Sequence, residues 1–424
     1  MANFAMEKLA HFKNPLLEFS QEEQLYRDSI AEFCSREISP NWERYDEESS
    51  QKPKVQLEIL KKLGEQGVFA MMCKEENGGQ GASETLAAIA VEEIAYADPS
   101  VALAVYTLLN IGWPFVLEKH GDADLVQRLI PRVSKGEAFF GIASTEAQGG
   151  SDIANLRTRA IKDADYYRIN GEKSFISGVN EVFSLPWGGG WLLLARTGGE
   201  GHSGLSSFAA IPREEGREKN GYTYSVFQGL GRHGLSTGLI NFQDFAIEKK
   251  NLVGKEGRGF YVAMEGFNCA RILVAAACVG ASRWLLEKGA EWIKEREAFG
   301  KRISSFQGIS FRFSELYGRY EAARMMVYRA ARLFDRIYRD KEGSYRLGDL
   351  NGPVAMAKMW GPEVSVEIAQ EVMRWFGAVS FTRSHPVHRS LLGLLSYVIG
   401  AEGSQNIMKY IASRELLGGE YVKQ

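Results

Sequence analysis

Between residues 138 and 254 this 424-residue chain switches from helical to strand-like patterning, then switches back. Short runs rich in β-branched and aromatic residues occur at 166–169, 174–177, 191–195, 207–211, 222–227 and 239–247. Asn170-Gly171, Gly188-Gly189-Gly190, Gly198-Gly199 and Asn220-Gly221 bound them as turns. A sheet built from such runs must bury a face, and the flanking sequence offers helices to cover it. The pattern predicts a compact antiparallel β domain inserted between helical ones.

Residues 17–133 read as helices. Ser20, with Glu23 three residues on, forms a capping-box start, and Leu25, Ile30 and Phe33 open an apolar face. Residues 55–63 and 84–96 repeat the helical pattern, and Gly78-Gly79-Gln80-Gly81 interrupts it. From about residue 259 the chain is helical again, in long amphipathic segments at 271–296, 307–338, 352–376 and 404–417. Several exceed 20 residues, which favours a helical bundle. The fold class is mainly α with an inserted β domain. The chain divides into an N-terminal helical domain (1–138), a middle β domain (139–255) and a C-terminal four-helix bundle (256–424).

Lysine plus arginine number 51 and aspartate plus glutamate 53, so the net charge of −2 leaves no electrostatic footprint for nucleic acid. The four cysteines form no Cys-x-x-Cys pair, and no His-Glu-x-x-His run occurs, so no metal site is expected. Scattered thiols of this kind suit reduced core positions in the cytoplasm. Residues 1–14 contain Glu7, no arginine and no apolar secretory region, and the small-apolar run 272–281 is too short to span a bilayer. A cytoplasmic protein without a membrane span is the expectation.

Three segments carry chemistry. The first is Ser144-Thr145-Glu146-Ala147-Gln148-Gly149-Gly150-Ser151-Asp152. The second is Phe175-Ile176-Ser177, and the third Ala401-Glu402-Gly403-Ser404. Thr145 and Ser177 could hydrogen-bond the polar edge of an isoalloxazine ring, and Phe175 could wall its face. Glu146 and Asp152 suit structural roles, holding turns or backbone amides. Glu402 is a carboxylate ahead of a helix start, where a macrodipole could also account for it.

In this order the segments resemble the acyl-CoA dehydrogenase flavoprotein family, over essentially the whole chain. The family's Thr-Glu pair, Gly-Ser-Asp and aromatic-Ile-Thr/Ser triplet match Thr145-Glu146, Gly150-Ser151-Asp152 and Phe175-Ile176-Ser177. Its Glu-Gly-Thr/Ser matches Glu402-Gly403-Ser404, and its Arg-x-x-Phe-Gly-Lys…Gln matches Arg296, Phe299-Gly300-Lys301 and Gln307. The resemblance implies FAD as cofactor and an acyl-CoA thioester as substrate. It implies that Glu402 takes the α-proton while the β-hydride leaves for flavin N5. Thr145, Ser151, Phe175, Ile176, Ser177 and Ser404 would contact FAD. Arg296, Phe299 and Gln307 would reach FAD bound mainly by a neighbouring subunit, so a homo-oligomer, a dimer of dimers, is implied. Ser151, Asn268, Arg271 and Gly403 would contact the substrate. Electrons would pass to an electron-transfer flavoprotein. Some family members carry the base just before a key arginine; here that position is Ala270, which cannot act.

The chain departs from the family at Arg374-Trp375-Phe376-Gly377-Ala378-Val379-Ser380, where a glutamine and two glycines are replaced. Gly377 remains for close approach to the dinucleotide, and Arg374 could pair with phosphate. The usual Arg-Asp after Pro386 is missing, and one residue is inserted before Glu402. Residues 98–110 offer one acyl-pocket wall without a basic residue, which argues against a dicarboxylic acyl group. Tyr106, Thr107 and Trp113 could shape that pocket. Two alternatives stay open: an acyl-CoA oxidase or flavin monooxygenase on the same fold, and a non-catalytic binding protein of that scaffold.

Overall fold

Ser20 and Glu23 close the anticipated box: the Ser20 N–H donates to Glu23 Oε2 at 2.8 Å and the Glu23 N–H to Ser20 Oγ at 3.2 Å. That box starts α1 (Gln21–Glu37), the first of six N-terminal α-helices among the described residues, followed by α2 (Trp42–Gln51), α3 (Leu57–Glu65), α4 (Glu84–Ala97), α5 (Ala102–His120) and α6 (Ala123–Ser134). The computed structural model describes residues 14–52, 54–341 and 343–422. The segment read above for targeting signals, apart from Asn14, lies outside them.

The middle of the chain forms a sheet of nine strands: β1 (Ala138–Ala143), β2 (Arg159–Asp163), β3 (Tyr166–Ser177), β4 (Gly188–Arg196), β5 (Leu205–Glu214), β6 (Arg217–Glu218), β7 (Tyr222–Val226), β8 (Thr237–Glu248) and β9 (Leu252–Val253). A short helix, α7 (Val179–Ser184), lies between β3 and β4. Most pairs are antiparallel as anticipated, but β1 joins β4 in parallel register over six residues. The turn reading of Gly188-Gly189-Gly190 is corrected: these glycines lie inside β4. A Cβ on Gly189 would stand 2.0 Å from Phe139 O and one on Gly190 1.9 Å from Ala210 O, so only glycine admits both neighbours. Asn170-Gly171 is likewise no turn. It is a bulge within β3, where the Asn170 side chain donates to Asp244 Oδ1 at 2.8 Å on β8.

The C-terminal helices are α8 (Gly259–Glu295), α9 (Gln307–Tyr338), α10 (Gly348–Phe376), α11 (Val387–Ile399) and α12 (Gln405–Leu417). Between α8 and α9 a small hairpin pairs β10 (Glu297–Ala298) with β11 (Lys301–Arg302). α8 is long and apolar enough to cross a membrane, yet 83% of its apolar window is buried inside the fold, where it packs against α4, α5, α9 and α10. Buried charge fixes this packing. Glu93 on α4 accepts from both terminal nitrogens of Arg283 on α8 (2.9 and 2.6 Å) and from Arg27 Nε on α1 (2.9 Å). Burial opposes ionisation of Glu93, but the two guanidiniums hold its pKa at about 2. Glu92 accepts from Arg324 Nε at 3.0 Å and Tyr328 OH at 2.6 Å, both on α9. Removing one partner from such a group strands a buried charge, so α4 cannot slide on the bundle cheaply.

Candidate active site

α5 follows α4 through a turn that Asp98 organises. Its carboxylate accepts from Ser100 Oγ at 2.5 Å and from the Leu103 N–H at 2.9 Å. The helix so anchored turns Val105, Leu108 and Leu109 toward a cavity of about 770 Å³. The remaining walls come from β1, the segment 144–153, β3, the residues 227–232, the first residue of β8, α8, α11, the loop at 400–404 and Ile407 of α12. Tyr106, Thr107 and Trp113 do not shape it. They lie on the other faces of α5 and are fully buried, Tyr106 against Phe69 and Phe139 and Trp113 against Phe267.

Thr145, Ser151, Phe175, Ile176, Ser177, Arg271, Glu402, Gly403 and Ser404 all border this one cavity. Thr145 is placed by its neighbours. Its carbonyl accepts from the Ser174 N–H at 2.9 Å. Lys173, wholly buried, donates to Ser144 O at 2.9 Å and Glu146 Oε1 at 2.7 Å. Glu146 also accepts from the backbone N–H groups of Arg157 (2.7 Å) and Thr158 (2.9 Å). Burial works against its charge, but Lys173 and these donors hold its pKa at about 2. Glu146 is thus a structural brace, and Asp152, accepting from Asn155 Nδ2 at 2.7 Å, holds a turn.

Phe175 sits at a second bulge in β3, at φ 58°, which swings its ring out of the sheet. It is 68% exposed beside Phe227, with ring centroids 5.3 Å apart. An aromatic this exposed at a cavity wall, at a backbone angle costly for a bulky residue, fits the flat face of a ring ligand. Ile176 behind it is buried. Among the described residues the side-chain hydroxyls of Thr145, Ser151 and Ser177 make no hydrogen bond. An apolar ring wall with uncommitted hydroxyls around it is the donor set a flavin ring requires.

Glu402 lies two residues before Ser404, the N-cap of α12, so it stands outside the helix rather than in its first turn. Ala401, Glu402 and Gly403 have successive positive φ angles of 33°, 59° and 112°. Two cations hold this strained loop. Arg271 Nε on α8 donates to Glu402 O at 2.9 Å, and Asn268 Oδ1 accepts from Arg271 Nη1 at 3.3 Å. Lys358 on α10, wholly buried, donates to the carbonyls of Tyr397 (2.8 Å), Gly400 (3.2 Å) and Gly403 (2.5 Å). Sequence reading missed Lys358; its only signal was a lysine in an apolar stretch of helix. Burial pushes the Glu402 pKa up to about 7 despite the opposing pull of Arg271, Lys358 and Arg232. Its Oε2 has no partner among the described residues. It is the one carboxylate on the cavity wall among those residues, and Ala270 is buried and inert.

Six candidates lie elsewhere. Asn268 serves Arg271 rather than the cavity wall. Arg296, the residue that caps the C-terminus of α8, is 25 residues beyond Arg271, about 37 Å along the helix axis. It opens the β10–β11 hairpin, whose tip carries Phe299 at 96% exposure. Gln307 begins α9 next to it, and α10 ends at the same place, since Trp292 Nε1 donates to Trp375 O at 2.8 Å. Arg296, Phe299, Gln307, Arg374 and Gly377 thus gather at one end of the bundle, remote from the cavity. Arg374 there donates to Glu371 at 2.8 Å, and Gly377 closes α10 at φ 69°. Ser404 borders the cavity, but its Oγ accepts from the Ile407 N–H at 3.4 Å as a helix cap.

The family models "Acyl-CoA dehydrogenase, N-terminal domain", "middle domain" and "C-terminal domain" match residues 20–137, 141–245 and 257–417 in turn. An acyl-CoA dehydrogenase of Bacillus subtilis is 31% identical over 407 residues, covering 94% of this chain and 99% of its own. The chain belongs to the acyl-CoA dehydrogenase family. Butyryl-CoA dehydrogenase of Megasphaera elsdenii superposes with a TM-score of 0.83 at 25% identity, covering 95% of this chain and 99% of its own. A chain in a structure described as the electron transferring flavoprotein of Acidaminococcus fermentans gives 0.83 at 28% identity, with coverage of 95% and 99%. Chains of the same fold have been solved with FADH2 or FAD. The protein is an enzyme of the acyl-CoA dehydrogenase class, with the fold that class implies.

Proposed function

We propose that this enzyme removes the α-proton and β-hydride of an acyl-CoA thioester, with Glu402 as the base, and passes electrons to an electron-transfer flavoprotein. The observation that carries the reading is Glu402: among the described residues it is the single carboxylate of the cavity wall and unpartnered at Oε2, with a pKa raised to about 7 by burial. A carboxylate with a pKa raised toward the operating pH is a stronger base and still partly ionised. FAD, held by Thr145, Phe175 and Ser177, would supply the two-electron acceptor at this wall. The backbone N–H groups of Ala401, Glu402 and Gly403 donate to nothing among the described residues. They suit a thioester carbonyl whose oxygen gains charge as the α-proton leaves, and such fixed donors cost no reorganisation. Val105, Leu108 and Leu109 exclude water from the acyl chain.

The remote cluster around Arg296 and the exposed Phe299 and Phe381 support a homo-oligomer in which that end of the bundle meets a neighbour's cofactor. The similarity to a chain solved in an electron transferring flavoprotein study supports the acceptor. The test is Glu402→Gln in the flavin-loaded protein. Flavin content and thioester binding should persist while the rate of flavin bleaching falls at least about 1,000-fold. Near-normal bleaching would rule Glu402 out as the base.

A further inference from the structure

The cavity wall holds a cation, Arg232, that no motif in the sequence points to. Arg232 comes from the connection between β7 and β8, far in sequence from 98–110, whose lack of a basic residue argued against a charged acyl tail. Its position is firmly set. The next residue, His233, donates its backbone N–H to Asp46 Oδ1 at 3.0 Å, and Asp46 Oδ2 accepts from Arg389 Nη1 of α11 at 2.6 Å. The preceding Gly231 lies so close to α11 that a Cβ would stand 2.7 Å from that of Leu392. Arg232 itself has φ 50°.

Its guanidinium is poorly partnered. Among the described residues it makes one hydrogen bond, to Thr237 Oγ1 at 3.4 Å, and no carboxylate lies within salt-bridge distance. Arg283 has Glu93, Arg324 has Glu92 and Arg389 has Asp46 and Glu47; Arg271 on the same cavity wall also lacks a carboxylate among the described residues, but it donates to Glu402 O at 2.9 Å and Asn268 Oδ1 at 3.3 Å. Burial disfavours the charge on Arg232, and Glu402 is the carboxylate whose charge opposes that effect. Tyr397 is buried, borders the same cavity and, among the described residues, has no hydrogen-bond partner for its hydroxyl. A guanidinium beside apolar walls is costly unless an anion meets it, and its planar fork matches a carboxylate.

We propose that Arg232, assisted by Tyr397, receives a carboxylate at the far end of a short acyl group, so that the preferred substrate is a dicarboxylic monothioester of CoA. The inference rests on the dehydrogenase reading above and narrows its substrate class. It reverses the expectation drawn from residues 98–110, because the cation arrives from the β domain rather than from α5.

The test compares glutaryl-CoA with pentanoyl-CoA, equal in acyl carbon count, on the flavin-loaded protein and on Arg232→Leu and Arg232→Lys. Working at pH 8.5, above the Glu402 value of about 7, favours the ionised base. Wild type should favour glutaryl-CoA in kcat/KM by at least tenfold. Arg232→Leu should lose that preference at least tenfold, mainly through KM, with pentanoyl-CoA used better than before; Arg232→Lys should keep part of it. A wild type that prefers pentanoyl-CoA, or a ratio that Arg232→Leu leaves unchanged, overturns the inference and leaves the dehydrogenase reading intact. Lost flavin, or KM raised equally for both thioesters, would assign the cation to a phosphate of cofactor or CoA and also overturn it. Failure of both thioesters to bleach the wild-type flavin would overturn this inference, whereas the dehydrogenase reading would fall only if no thioester of a wider panel bleached it.

Discussion

Glu402→Gln has a consequence for stability that needs no substrate. The carboxyl titrates at about 7 in the folded protein against an ordinary value of 4.5. The folded state therefore binds this proton more tightly than the unfolded chain, and stability falls as pH rises from 4.5 to 7. The pKa difference of about 2.5 corresponds to about 3.4 kcal/mol once pH exceeds 7. Glutamine has no such titration, so its advantage over glutamate should grow with pH. Between pH 5 and pH 8.5 the linkage expression gives a growth of about 2.5 kcal/mol. Urea midpoints of wild type and variant, followed across that range, measure it. A variant-minus-wild-type difference that stays flat with pH would refute the claim that burial raises this carboxyl. One that shrinks with pH would reverse its sign.

Lys358→Met removes three hydrogen bonds to the carbonyls that hold the Glu402 loop, and with them a charge that favours the Glu402 carboxylate. The midpoint of the bleaching rate against pH should move above 7, with Lys358→Arg restoring part of the shift; an unmoved midpoint would count against Lys358 as a positioning residue. Arg296→Ala should lower flavin occupancy of the assembled protein several-fold without changing the cavity, and unchanged FAD content would contradict sharing across subunits. Lys173→Met should strand Glu146, which is nearly fully buried, at a cost of about 3–5 kcal/mol, read as a lower urea midpoint. A loss below 1 kcal/mol would show that the Thr145 segment is held otherwise.

The helical parts of this fold were legible because their signals are local. The Ser20–Glu23 box and the 3.6-residue periodicity of α9 need no knowledge of the rest of the chain. The sheet was legible in outline but misread wherever glycine served close packing instead of turning. Gly189 and Gly190 face carbonyl oxygens of β1 and β5, which are unknowable without the pairing. Phe175 and Ser177 were found through the motif, but the bulge that turns Phe175 outward depends on its register with β8. Glu402 was found, whereas the cations governing it were not all visible. Arg271 belongs to a motif; Lys358 and Arg232 arrive from α10 and the β7–β8 connection and become relevant only after folding. Tyr106 and Thr107 show the reverse error, since residues beside the right wall face away from it.

The most direct test of the central claim is the visible spectrum of the purified protein, recorded anaerobically before and after adding a panel of acyl-CoA thioesters. The account predicts a flavin spectrum that at least one thioester bleaches in wild type and that Glu402→Gln leaves oxidised. Protein that carries no flavin, or flavin that bleaches equally fast without Glu402, would contradict it.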